Sequence, residues 1–251
     1  MRLRDVFMLE GAHDAENRKL AQDAFDKLRA GLLSSPESAW KKEQILRYVN
    51  DTRTSWTLVP PATEGLPDDL SVHLAIVPEG KGFPEASFVG KGPNRPGGHI
   101  FIYVELTKDV YDRVLVDPVK ARVTAHRNAT KLLDHVRGEF IHEYTHYLDR
   151  KRMKGKVAPS SLSREKGKAA YFAHPFELNA FIQEMFDSFE HVVAQRPELM
   201  GLDANEFYKN FINHTKREQP AFYAYIRKRN IPRLKKRVAQ LYQDLEDRTS
   251  G

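Results

Sequence analysis

His142, Glu143 and His146 stand in the segment Phe140-Ile-His-Glu-Tyr-Thr-His-Tyr-Leu-Asp149, an H-E-x-x-H signature. On an α-helix, residues four apart lie one turn above each other. Both imidazoles can then reach one metal ion while Glu143 faces the metal's open side. A zinc-held water has a pKa of about 7, and a carboxylate beside it can take its proton as the water attacks a carbonyl. These residue types at this spacing point to metal-assisted hydrolysis. The competing reading makes the two histidines polar residues of a partly buried helix, with no metal to hold.

The elements around the signature must present it. Leu133, Val136, Phe140, Ile141, Tyr144, Tyr147 and Leu148 are spaced as the buried stripe of a helix, whereas Glu139, His142, His146 and Asp149 run along a different line. A catalytic zinc site usually has three protein ligands and one open position. The position six residues past His146 is Arg152, and Asp149 stands where a turn glycine would be needed, so no third ligand comes from directly downstream. The segment Tyr171-Phe-Ala-His-Pro-Phe-Glu-Leu-Asn-Ala-Phe181 offers Glu177, early on a helix that Pro175 opens and that continues through Ile182, Met185 and Phe186. His174, just outside that helix, is the alternative ligand.

The motif His142-Glu143-Tyr144-Thr145-His146, followed by Tyr171, Pro175, Glu177 and Ala180, resembles the zincin metallopeptidases whose third ligand is a glutamate, the gluzincins. It is also similar to H-E-x-x-H proteins encoded by bacteria and bacteriophages. The resemblance covers about residues 95 to 190 and is specific at the motif positions. It implies Zn2+ held by His142, His146 and Glu177, Glu143 as general base and later proton shuttle, and Tyr171 as a hydrogen-bond donor to the oxyanion. Tyr171 reads equally well as a packed aromatic. One departure is plain: where the thermolysin-like pattern has an Asp four residues past the Glu to orient the first histidine, this chain has Phe181. Asp149 and Glu139 are the candidates for that orienting role, and both read equally well as solvated helix charges.

His99-Ile-Phe-Ile-Tyr-Val-Glu105, launched by Pro96-Gly97-Gly98, reads as a strand. The resemblance implies that it is the edge strand beside the metal helix, pairing with an extended substrate along Ile100, Phe101, Ile102 and Tyr103. Residues 55–59, 71–77 and 86–89 are further strand candidates. Helices are expected at 15–33, 37–48, from Pro118 toward the motif, from Pro175, and at 204–213, 219–228 and 232–245. The expected fold is α+β and zincin-like: a small mixed sheet with an edge strand beside the H-E-x-x-H helix, then a mainly helical C-terminal half. Residues 1–50 are expected to be a helical N-terminal extension and residues 51–251 the metallopeptidase domain.

The chain has no cysteine, which excludes a disulfide framework and leaves His and carboxylates as metal ligands. The first ten residues carry too short an apolar run for a signal peptide, and no stretch suits a transmembrane helix. The expectation is a cytoplasmic protein, with packaging in a virion or signal-less export as other routes. The formal charge is +6, and it is unevenly placed. Residues 150 to 168 hold eight basic residues against the single acid Glu165, and a second run, Arg227 to Arg237, holds seven and no acid. The first run reads as a loop joining the two ligand-bearing helices, able to close over an acidic protein or peptide substrate or to rest on nucleic acid. The expected function is that of a zinc-dependent metalloendopeptidase. The alternatives are a virion or assembly protein on a zincin scaffold, and a nucleic-acid-associated protein with a structural metal.

Overall fold

The computed structural model describes residues 14–34, 41–43, 56–59, 66–80, 86–91, 95–116, 118–154, 172, 175–229 and 232–250. It is a mixed α+β protein, mostly helical, with one small sheet. Two compact units divide the chain, Leu20–Pro159 as one and Met1–Lys19 with Ser160–Gly251 as the other. The divisions fall between residues 19 and 20 and between residues 159 and 160.

In the first unit the strands β1 (Lys41–Glu43), β2 (Trp56–Val59), β3 (Leu70–Pro78), β4 (Ala86–Gly90) and β5 (Gly98–Leu106) form a sheet of order β1-β2-β3-β5-β4. The β3–β5 pair is parallel and the others are antiparallel. Side chains alternate across a sheet, so the two faces can be read from parity. Leu70, Val72, Leu74 and Ile76 of β3 and Ile100, Ile102, Val104 and Leu106 of β5 all enter one buried core. Ala21, Ala24, Phe25 and Leu28 of helix α1 (Asp14–Ser34) and Leu133, Val136, Phe140, Ile141, Tyr144 and Tyr147 of α3 (Pro118–Arg152) complete that core. This part of α1 is therefore integral to that core. The short helix α2 (Lys108–Val116), which the sequence reading passed over, lies between β5 and α3 in the chain and adds Tyr111 to the same core.

The predicted helix over 37–48 is not found where it can be checked, because Lys41–Glu43 is a strand paired with β2. Its remaining residues lie outside the described ones. Strand β5 also differs from expectation: it is hydrogen-bonded to β3 on one side and β4 on the other, so it is an interior strand. Among the described residues the edge on this side of the sheet is β4.

The second unit includes α4 (Pro175–Gln195), a 3-10 turn (Pro197–Gly201), α5 (Ala204–Glu218), α6 (Pro220–Arg229) and α7 (Pro232–Ser250). Its core is aromatic, with Phe189 meeting Phe207 and Phe211 edge-on at centroid distances of 5.3 and 5.5 Å. Arg18 is 1% exposed, its Nε donating to Glu190 Oε1 at 2.7 Å, with Asp244 Oδ2 3.5 Å from its Nη2. Asp203 caps α5 by accepting from the amides of Asn205 and Glu206.

On the sheet face away from α3, His73 Nε2 and His99 Nδ1 lie 3.0 Å apart. His73 stacks on Phe101 and is 3% exposed. Burial, and secondarily the neighbouring His99, pull its pKa from 6.5 down to about 4. Between those values the unfolded chain takes a proton that the folded chain refuses. This contribution to stability is complete above about pH 6.5 and is lost as the pH falls toward 4, on the order of 3 kcal/mol in all. Replacing His73 by Gln removes the titrating group, so the drop in urea-unfolding free energy from about pH 7 to about pH 4.5 should shrink by a large part of that amount. An unaltered pH profile would contradict the assignment.

Candidate active site

Helix α3 carries the whole H-E-x-x-H signature, as the spacing predicts. Pro118 occupies its first position, where a missing N–H costs nothing. The helix closes after Arg152 with Met153 N–H donating to Asp149 O and Lys154 adopting a left-handed φ of 51°. His142 is 3% exposed and His146 half-buried, and their rings stand edge to face at 4.9 Å. The stripe Phe140, Ile141, Tyr144 and Tyr147 points into the core, which leaves the two histidines on a different line of the helix.

Glu143 is held by the sheet. Its Oε2 accepts the Phe88 backbone N–H at 2.7 Å. The direction of that N–H follows from ladder parity. Lys91 N–H donates to Gly97 O across the β4–β5 pair, so residues 91, 89 and 87 bond inward and residues 90, 88 and 86 direct their amides and carbonyls away from β5. Glu143 therefore takes up one outward donor of the edge strand.

Two other α3 residues hold the same strand. Tyr147, one turn on, sets its ring against Phe88 at 6.4 Å and donates its hydroxyl to Asp69 Oδ1 at 2.8 Å. Burial and the Asp69 contact both push that phenol's pKa upward, so it stays a donor. Arg150, two turns from Glu143, is 3% exposed and donates Nε to Arg95 O at 3.0 Å. A Cβ at Gly90 would fall on the Arg150 guanidinium, and one at Gly98 on the Phe88 ring. Both positions must stay small for strand and helix to meet. Sequence reading placed Arg150 in a basic loop and missed this line. Its signal was the spacing 143, 147, 150, a helical face of polar-tipped side chains beside the apolar stripe.

The other expected site residues are distributed as follows. Glu177 lies in the first turn of α4 and is 1% exposed. Asp149 is buried, with Arg152 Nη1 3.9 Å from its Oδ1, and Glu139 is half-buried. Tyr171, His174 and most of the basic stretch 150–168 lie outside the described residues. Ile100 and Ile102 face the core under α3, so their side chains are not available to a substrate. Phe101 and Tyr103 face the other side of the sheet, where Tyr103 Oη and Ser87 Oγ are 2.9 Å apart. The edge position expected of these four residues does not hold: β5 has a partner on each side, and on this side of the sheet the strand with outward backbone groups is β4.

No protein-family model matches the chain, and comparisons with curated proteins and with solved structures likewise find no match.

The clamp at Arg150 can be tested without a substrate. In Arg150→Met an apolar side chain replaces the guanidinium beside Gly90 and the Arg95 carbonyl loses its donor, at a cost of roughly 1–3 kcal/mol. Urea unfolding should register this, with the exposed Lys108→Met as the surface control. Equal stability of the two variants would show that the clamp carries no weight.

Proposed function

We propose that the chain is a zinc-dependent metalloendopeptidase. The observation that carries the reading is the H-E-x-x-H helix with its acid anchored: two imidazoles one turn apart, and between them a carboxylate bound to the edge strand of the sheet. Ligands of the right chemistry accompany it. His142, His146 and Glu177 would supply two imidazole nitrogens and one carboxylate oxygen, the donor set of a hydrolytic zinc centre. When bound, zinc would polarise a carbonyl and make water acidic enough to lose a proton near neutrality.

The chain's own residues would do the rest. Glu143 takes the proton from the attacking water and returns it to the leaving amine, a role for which a fixed carboxylate is better suited than a mobile one. The Phe88 N–H fixes it by donating to Oε2. An extended peptide would lie along β4, where the outward backbone groups of residues 86 and 90 and the Phe88 carbonyl can pair with it. Asp149 and Glu139 remain candidates for orienting the histidines.

Three variants test this reading, with casein as a general substrate and zinc measured by elemental analysis on the same samples. Glu143→Gln should retain about one zinc per chain and lose roughly a hundredfold or more of the hydrolysis rate. His142→Ala and Glu177→Ala should lose the metal. Full hydrolysis by Glu143→Gln, or wild-type protein that takes up no zinc when it is supplied, would sink the proposal.

A further inference from the structure

The second basic run of the sequence falls on the last turn of α6 and the first two turns of α7. Arg227, Lys228, Arg229, Arg233, Lys235 and Lys236 are all exposed, while Leu234 and Val238 between them are buried in the core of the second unit. Only residues 230 and 231 separate the two helices, so the Cα atoms of Arg229 and Pro232 are at most about 11 Å apart and the two groups of cations are neighbours. Arg237 does not belong with them: that side chain is half-buried, donates to Asn179 Oδ1 at 2.9 Å and lies over Phe186.

The placement of these charges runs against the helix that carries them. Helix α5 is charged as a helix dipole favours, with Asp203 and Glu206 at its start and Lys216 and Arg217 in its last turn. Helix α7 has no acid in its first turn and sets Arg233, Lys235 and Lys236 at its positive end. No acidic residue occurs between Glu218 and Asp244 to offset them. Among the described residues Arg227, Lys228, Lys235 and Lys236 make no ion pair. The placement runs against the helix dipole of α7, whereas an external polyanion would gain from it.

The neighbouring side chains narrow the kind of polyanion. A membrane surface would call for apolar side chains beside the cations, yet among the described residues the large exposed hydrophobics are Leu20 and Val123, neither of them in this segment. A single nucleic acid strand would call for open aromatic faces, yet Tyr223 and Tyr225 are half-buried and already engaged, by Lys216 and by Phe172 and Arg229. What remains is a rigid array of closely spaced negative charges, which a duplex offers at about one per 1.7 Å of axis. We propose that the α6–α7 surface binds double-stranded nucleic acid through its phosphates, without reading sequence. This site is separate from H-E-x-x-H chemistry and stands or falls independently of it.

The test is fluorescence anisotropy of the full chain with a labelled mixed-sequence duplex of about 24 base pairs, titrated at several salt concentrations. Four or five phosphate contacts predict that log Kobs falls against log salt with a slope of about −4, nearly equal for duplexes of unrelated sequence. Lys235→Glu with Lys236→Glu should weaken binding at least about tenfold. The same pair should leave the thermal midpoint unchanged or raised, because acids at the start of α7 suit its dipole. Lys91→Glu with Lys108→Glu, the same charge change on exposed residues of the other unit, should leave binding within about twofold. The proposal is overturned if no duplex binds at low salt or if the two double variants weaken binding equally. It is also overturned if polyglutamate, or vesicles of phosphatidylserine and phosphatidylcholine, compete as well as duplex at matched charge; the surface would then belong to an acidic protein or a membrane.

Discussion

The hydrogen bond from the Phe88 amide to the Glu143 carboxylate sets the requirement that the rest of residues 20–159 must meet. At 2.7 Å it tolerates little displacement of helix against sheet, and a hydrogen bond weakens steeply as its geometry degrades. The packing around it supplies that precision. Phe140, Tyr144 and Tyr147 seat the helix in the core, and the sheet answers with Ile100 and Ile102 from the interior strand. Where β4 ends, two paired glycines let large groups come close: Gly98 of β5 makes room for the Phe88 ring, and Gly90 for the Arg150 guanidinium. The same helix thus bears the acid and fixes the strand that orients it, so any relative motion of the two disturbs both.

Polar groups in the interior follow the same logic of mutual fixing. The Tyr147 hydroxyl donates to Asp69 and accepts from Lys151 Nζ at 3.1 Å, and Asp69 itself stands where β3 begins, its carbonyl accepting Gly98 N–H at 3.1 Å. In the second unit the buried ends of Arg237 and Gln219 reach Asn179 and Glu184, both on α4, at 2.9 and 3.0 Å. These contacts give α4 a defined rotation about its axis, which an all-aromatic interface would specify less tightly. Glu177, in the first turn of that helix, inherits the definition.

Much of this was readable from residue patterns, and the parts that were not have physical reasons. The H-E-x-x-H helix, strands 70–78 and 98–106, and helices α4 to α7 announce themselves by period, because each buries one regular face. Strand β1 did not, since three residues of Lys-Lys-Glu carry no apolar alternation and are strand only by pairing with β2. The place of β5 in the sheet was misjudged for a related reason. Propensity marks a strand but not its neighbours, and the weaker pattern Ala-Ser-Phe-Val-Gly turns out to occupy the edge. Within the candidate site, the side chains proposed as ligands stood out by type. The groups that hold them did not, because a backbone N–H has no letter in the sequence and a buried arginine looks like any other. Arg150 sat in a run of cations and differed from its neighbours only in facing Gly90 and Arg95.

The make-up of the second unit carries a consequence for how the chain reaches this structure. Residues 20–159 are continuous, so a ribosome delivers everything that unit needs in one stretch. The other unit joins residues up to 19 with residues from 160 onward, and its buried arginine, Arg18, finds Glu190 only 172 positions later. During synthesis that guanidinium must wait, solvated, until α4 emerges, and closing so long a loop is the slow kind of contact. The order of events is therefore inverted relative to the order of the letters: the middle of the chain can close first, and the beginning is completed only by the last helices to be made.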